Sequence, residues 1–133
     1  MNYELLIVDD DNVFLHLHEQ LLKKNGIGKT PEKFENCSQA LEYISNNQNS
    51  YAKFYVFLDI YMDGMNGWSF MDQLVEKDLT SITDVVVVTS SINLHDHKKS
   101  EEYSNILAYI EKPFSNKHMR DLIEKTALKD FLQ

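Results

Sequence analysis

Short hydrophobic runs that each end in a polar side chain constrain this chain more than any other feature. Leu5-Leu6-Ile7-Val8 runs into Asp9 and Asp10, and Phe54-Tyr55-Val56-Phe57-Leu58 runs into Asp59. Val85-Val86-Val87-Val88 runs into Thr89, and Leu107-Ala108-Tyr109-Ile110 reaches Lys112 after one intervening residue. Each run is rich in β-branched or aromatic residues and reads as a buried strand. If the strands are parallel, their polar ends share one edge of one sheet, where open α/β sheets place their sites.

The intervening segments support that arrangement. A strand over 4–8 is followed by a helix over 12–25, capped by Asp11 or Asn12 and closed by Gly26 and Gly28. Phe14, Leu17, Leu21 and Leu22 give this helix an apolar stripe. A weak strand is expected over 33–36, then a helix capped by Ser38 that carries Ala40, Leu41 and Ile44, then a polar loop over 46–50. A central strand over 53–58 leads through a loop over 59–67 to a helix with Trp68, Phe70, Met71, Leu74 and Val75. A strand over 84–88, a polar and marginal helix within 93–103, and a strand over 107–110 follow. Ser115 caps a final helix carrying Met119, Leu122, Ile123, Ala127 and Leu128. Strand and helix alternate throughout, which predicts an α/β fold: a doubly wound, five-stranded parallel sheet with helices on both faces.

Composition narrows the function classes. Of the 133 residues, 43% are hydrophobic, enough for one core and against a disordered chain. A single domain over 1–133 is expected, and Met1 with the short tail suggests a complete chain. The net charge of -8 disfavours direct nucleic-acid or membrane-surface binding. Cys37 is the only cysteine, so no internal disulfide forms and no thiolate zinc site exists. The N-terminal apolar run is too short for a signal peptide or a membrane span, so a cytoplasmic protein is expected.

Clustered carboxylates repel one another and resist desolvation unless a cation joins them. Asp9, Asp10 and Asp59 therefore read as an acidic Mg²⁺ pocket with Lys112 as basic partner and Thr89 as hydroxyl, suited to phosphate chemistry. Asp11 reads as a helix cap only. Trp68 reads as packing. His16 and His18 on the first helix find no obvious ligand partners, and His95 and His97 read as solvated residues of a polar helix.

In order, these residues carry a resemblance. Asp9-Asp10, Asp59, Thr89 and Lys112-Pro113, each after a strand-like run, resemble the bacterial response-regulator receiver domain (CheY-like) over essentially the whole chain. The segment Leu58-Asp59-Ile60-Tyr61-Met62-Asp63-Gly64-Met65-Asn66-Gly67 is similar to that family's phosphoacceptor loop, and Tyr109 to its aromatic switch position. The resemblance implies a flavodoxin-like three-layer sandwich with strand order 2-1-3-4-5; with no linker and no second domain visible in the sequence, no output domain is expected. It implies that Asp59 accepts a phosphoryl group from a sensor histidine kinase or a histidine phosphotransfer protein. Asp10, Asp59 and the backbone carbonyl of Tyr61 would hold Mg²⁺ directly, and Asp9 through a water. Lys112 and Thr89 would contact the phosphoryl oxygens.

Thr89 and Tyr109 would act as the switch that changes residues 94–103, 107–110 and the start of the final helix, the surface read by an unknown downstream protein. Lys112-Pro113 would be a cis peptide bond. The protein would be no enzyme beyond its own phosphotransfer and self-dephosphorylation. Tyr61 and Ser91 would flank the path of the attacking water, with Tyr61 shielding the acyl phosphate. Asp63 departs from the family's usual proline, which should loosen the loop and adds a negative charge near the site.

Three other readings make distinguishable claims. A receiver-like binding module would act without phosphorylation. A haloacid-dehalogenase-like aspartate phosphatase would want an acid two residues after Asp59, where Tyr61 stands. An FMN-binding flavodoxin-like carrier would need a phosphate loop after the first strand, where three aspartates stand instead.

Overall fold

The computed structural model describes residues 2–62 and 64–132; Asp63, and with it the departure from proline, lies outside them. Five strands form one parallel sheet in the order β2-β1-β3-β4-β5. They are β1 (Tyr3–Val8), β2 (Glu32–Phe34), β3 (Lys53–Leu58), β4 (Thr83–Thr89) and β5 (Ile106–Glu111). The helices between and after them are α1 (Asn12–Lys24), α2 (Cys37–Asn46), α3 (Gly67–Glu76), α4 (Leu94–Ser100) and α5 (Asn116–Lys125).

Strand periodicity divides the core between the two faces of the sheet. Leu6, Val8, Phe54, Val56, Leu58, Val85 and Val87 point to one face, where Ala40, Leu41 and Ile44 of α2 and Phe70, Met71 and Leu74 of α3 cover them. Leu5, Ile7, Tyr55, Phe57, Val86 and Val88 point to the other, beneath Leu15 and Leu22 of α1 and Met119 and Leu122 of α5. Strands covered on both faces must be apolar at nearly every position, which is why β1, β3 and β4 read as continuous hydrophobic runs.

Local chemistry sets the helix ends. Asp11 caps α1, its carboxylate accepting from the amides of Val13 and Phe14. Gly26 follows the end of α1 with a φ of 87°, a left-handed conformation suited to glycine. Ser115 caps α5 in a reciprocal box with His118.

Three expectations need correction. The cap of α2 is Asn36, which accepts from the Gln39 amide, and not Ser38; the helix begins a residue before Ser38. The edge strand β2 lies at Glu32–Phe34 and not 33–36, because Asn36 is already committed to that cap. Ala127 and Leu128 are not on the final helix. Thr126 turns extended (φ -132°, ψ 177°), and its hydroxyl meets that of Tyr55 at 2.8 Å. A 3₁₀ turn over Ala127–Phe131 then drops Leu128 and Phe131 into the core.

Gly67 opens α3 where the chain folds back on the loop after β3, its amide donating to the Ile60 carbonyl at 3.0 Å. A Cβ there would lie 2.6 Å from the Cα and Cγ2 of buried Ile60. Gly67→Ala should therefore lower stability by about 1–3 kcal/mol through overpacking. The urea midpoint checks this, and an unchanged midpoint would mean that the loop relaxes freely.

Candidate functional site

Parallel register builds the site. Val8 of β1 pairs with Leu58 of β3, so Asp9 and Asp59 emerge side by side. The ladder continues for one more step: the Asp59 amide donates to the Val8 carbonyl and the Asp9 amide to the Phe34 carbonyl, both at 3.0 Å. The Lys112 amide donates to the Thr89 carbonyl at 2.8 Å, which brings the end of β5 to the same edge. The Lys112-Pro113 bond is cis, as the resemblance implied.

The side chains then meet. Lys112 Nζ donates to Asp9 Oδ2 at 2.7 Å and to Asp59 Oδ2 at 3.2 Å. It also lies 4.1 Å from the centroid of the Phe14 ring on α1, an attractive cation–π geometry. The second oxygen of each carboxylate is held by its own loop: Asp9 Oδ1 accepts from the Asp11 amide at 2.9 Å, and Asp59 Oδ1 from the Tyr61 amide at 3.0 Å. Asp9, Asp10 and Asp59 each offer a carboxylate oxygen within 4.8 Å of the others. Asp9 and Asp59 are buried, and Asp10 is exposed.

The electrostatics follow from burial. Desolvation raises the Asp9 carboxyl above its ordinary value, outweighing the Lys112 hydrogen bond and the Asp11 amide, and the Asp59 charge adds to the effect. Burial works to lower Lys112, but its bond to Asp9 and the charges of Asp59 and Asp9 prevail and raise it. The cluster is short of positive charge, and its donors are all oxygens. That chemistry fits a hard divalent cation such as Mg²⁺.

Thr89, at the end of β4, is fully buried, and its Oγ1 accepts from the Ser91 amide at 3.2 Å. Tyr109 on β5 is half-buried. Its hydroxyl donates to the Ser91 carbonyl at 3.3 Å, and its ring stands edge-on to His97 at 4.9 Å. Tyr61 is exposed at its ring but tied at its hydroxyl to Asp96.

Two residues gain importance that the sequence did not suggest. Asp96 lies on α4 between two histidines in a polar segment, yet it is only 4% exposed. Its carboxylate accepts from the Tyr61 hydroxyl, from Ser91 Oγ at 2.8 Å and from Trp68 Nε1 at 3.1 Å. Burial works to raise it, but these three bonds hold it below its ordinary value. Trp68 thus packs, stacked on Tyr103, and also donates. Asp96 and Ser100, four apart on α4, share its covered side, and nothing in the sequence marks them for it.

His18 is the second. It lies buried among the rings of Phe14, Phe57 and Phe114, and neither ring nitrogen has a partner among the described residues. His97 is exposed, as expected, and its ring stands edge-on to Tyr109.

The response regulator receiver domain family matches residues 5–124, and the chain belongs to it. A two-component response regulator from Cytophaga hutchinsonii shares the fold at a TM-score of 0.82 and 19% identity, over 97% of this chain and 98% of that one. A CheY-like receiver from Methanospirillum hungatei JF-1 is 26% identical at a TM-score of 0.67, over 97% of this chain and 94% of that one. A DNA-binding response regulator of the LuxR family from Staphylococcus aureus is 25% identical at 0.75, over 94% and 98%. No curated protein sequence matches. Among the described residues, no helix is long and apolar enough to cross a membrane.

His18 generates a prediction with a definite sign. Burial, aided by the Lys112 charge, lowers its pKa from 6.5 to about 3. The folded state then binds fewer protons than the unfolded chain between these values. The His18 contribution to stability is fully present above pH 6.5 and is lost as pH falls toward 3, by about 1.4 kcal/mol per pH unit. Chemical denaturation across that range should give His18→Leu a shallower acid limb than wild type. Parallel limbs would show that the imidazole charges freely in the fold.

Proposed function

We propose that this receiver domain is a phosphorylation-dependent signalling module that takes a phosphoryl group on Asp59 and uses it to control a partner protein. The observation that carries the reading is the meeting of Lys112 with both Asp9 and Asp59, at an edge where Asp10 completes a three-carboxylate cluster.

An Asp59 carboxylate oxygen forms the new bond to phosphorus while the bond to the donor's leaving group breaks. The donor is a phosphohistidine of a kinase or phosphotransfer protein, or an acyl phosphate. This chemistry asks for positioning and charge stabilisation more than for covalent help from the protein. The Tyr61 amide orients the Asp59 carboxylate by its bond to Oδ1. Lys112 supplies a compact positive charge to the incoming oxygens. The Thr89 hydroxyl sits at the end of the neighbouring strand, where a phosphoryl oxygen on Asp59 would be its hydrogen-bond partner. Asp10, Asp59 and the Tyr61 carbonyl would hold Mg²⁺ directly and Asp9 through a water, and the ion would supply positive charge against the repulsion between carboxylate and phosphoryl group.

Signal output follows the same residues. A Thr89 hydroxyl turned toward phosphate would give up its present bond from the Ser91 amide, and the Ser91 carbonyl holds the Tyr109 hydroxyl. Phosphorylation would therefore release Tyr109 and reshape the surface of α4, β5 and α5. The protein acts as a phosphoacceptor and not as an enzyme on other substrates, and it works in the cytoplasm.

Incubation with Mg²⁺ and acetyl phosphate should add about 80 Da to the intact mass, consistent with one phosphoryl group. The adduct should require Mg²⁺ and vanish in Asp59→Asn. Persistent absence of an adduct, with small donors and with a kinase panel alike, would favour a module that binds its partner without phosphorylation.

Mg²⁺ should also raise the unfolding temperature, by an amount that grows with the logarithm of its concentration above the dissociation constant. At about a hundredfold excess over its dissociation constant the gain is about 2.7 kcal/mol. Asp10→Asn and Asp59→Asn should reduce that gain sharply. An equal gain in all three proteins would place the ion elsewhere.

A further inference from the structure

Two short hydrogen-bonded paths leave the acceptor site and meet on one carboxylate. From Asp59, Oδ1 accepts from the Tyr61 amide, and the Tyr61 hydroxyl donates to Asp96. From Thr89, Oγ1 accepts from the Ser91 amide, and Ser91 Oγ donates to the same Asp96 oxygen, Oδ2, at 2.8 Å. The other oxygen, Oδ1, is held by Trp68 Nε1 of α3. Asp96 therefore joins the loop after β3, the loop after β4, α3 and α4 at a single buried point.

We infer that Asp96 is a positioning residue for the acyl phosphate: it anchors Tyr61 across the approach to Asp59 and couples the acceptor to α4. The inference rests on the phosphoacceptor reading and deepens it. The Tyr61 ring spans from the Asp59 loop to Ser91 and α4, so it is held along the side of the site that faces α4. Its hydroxyl holds it there through Asp96, and the residue is 55% exposed. With the tether intact, the ring limits access of water to phosphorus. With it cut, the ring turns into solvent.

The step affected is hydrolysis of the adduct. A water oxygen forms a bond to phosphorus, and the bond between phosphorus and the Asp59 oxygen breaks. The carboxylate is regenerated, and inorganic phosphate leaves with the protons of the water. Asp96 touches none of these atoms and acts only through Tyr61 and Ser91. The arrangement also gives α4 a direct connection to the acceptor loop that does not pass through Tyr109. A charged side chain buried on a polar helix is costly unless fully bonded, and here all three donors come from outside α4.

The test is the half-life of the purified adduct, followed by intact mass, in wild type, Tyr61→Phe, Asp96→Ala and the double variant. Tyr61→Phe removes one hydroxyl from a surface ring, so it keeps the experiment decisive if Asp96→Ala folds poorly. Unfolding temperature and the fluorescence of Trp68, the chain's single tryptophan, monitor folding and the loss of the junction. Each single variant should shorten the half-life about fivefold, the scale of one lost hydrogen bond. The double variant should be no shorter-lived than the more affected single, because both act through one tether. Single variants with the wild-type half-life, or effects that multiply in the double variant, would overturn the role of Asp96 while leaving Asp59 as the acceptor. A wild-type protein that forms no adduct would overturn the phosphoacceptor reading and this proposal together.

Discussion

The ion pairs of Lys112 with Asp9 and Asp59 are the interaction on which the site depends. Two buried carboxylates side by side at a sheet edge are unfavourable, since each resists desolvation and repels the other. A single ammonium placed at 2.7 Å and 3.2 Å from them makes the cluster tolerable, and Phe14 supports that ammonium from the side. One positive charge against three carboxylates still leaves the cluster negative. The residual field suits a divalent cation, and a phosphoryl group entering beside that cation would find Lys112 already in place.

The sheet supplies this arrangement through register rather than through local sequence. Asp9 and Asp59 are fifty residues apart in sequence and become neighbours because Val8 pairs with Leu58. Lys112 joins them because β5 runs beside β4 and its ladder continues from Thr89. A one-residue slip of β1 or β3 would draw the carboxylate that follows it into the core, since these strands are covered on both faces. The packing that makes the fold stable is also what fixes the distances between the acidic groups.

A second level of organisation lies between the site and α4. Thr89 connects to Tyr109 through Ser91. In this chain the Asp96 carboxylate adds a connection that also takes in Tyr61 and Trp68. The helix α4 meets its neighbours through these hydrogen bonds, through the edge-on contact of His97 with Tyr109 and through Lys99 over the Trp68 ring, more than through an apolar stripe.

The sequence by itself determined the alternation of elements, the parallel sheet and the identity of the acidic cluster, because buried parallel strands need unbroken apolar runs and the polar residues that end them stand out. It also determined the caps at Asp11 and Ser115, where the capping side chain and the amides it serves lie within one turn. It did not reveal the role of Asp96, the burial of His18 or the break at Thr126. In each case the deciding partners are remote: Tyr61 and Trp68 for Asp96, Phe57 and Phe114 for His18, Tyr55 for Thr126. A polar residue in a helix reads as solvated until something distant covers it. Only the tertiary structure decides which polar groups are covered, because desolvation depends on what packs against a residue and not on its neighbours in the chain.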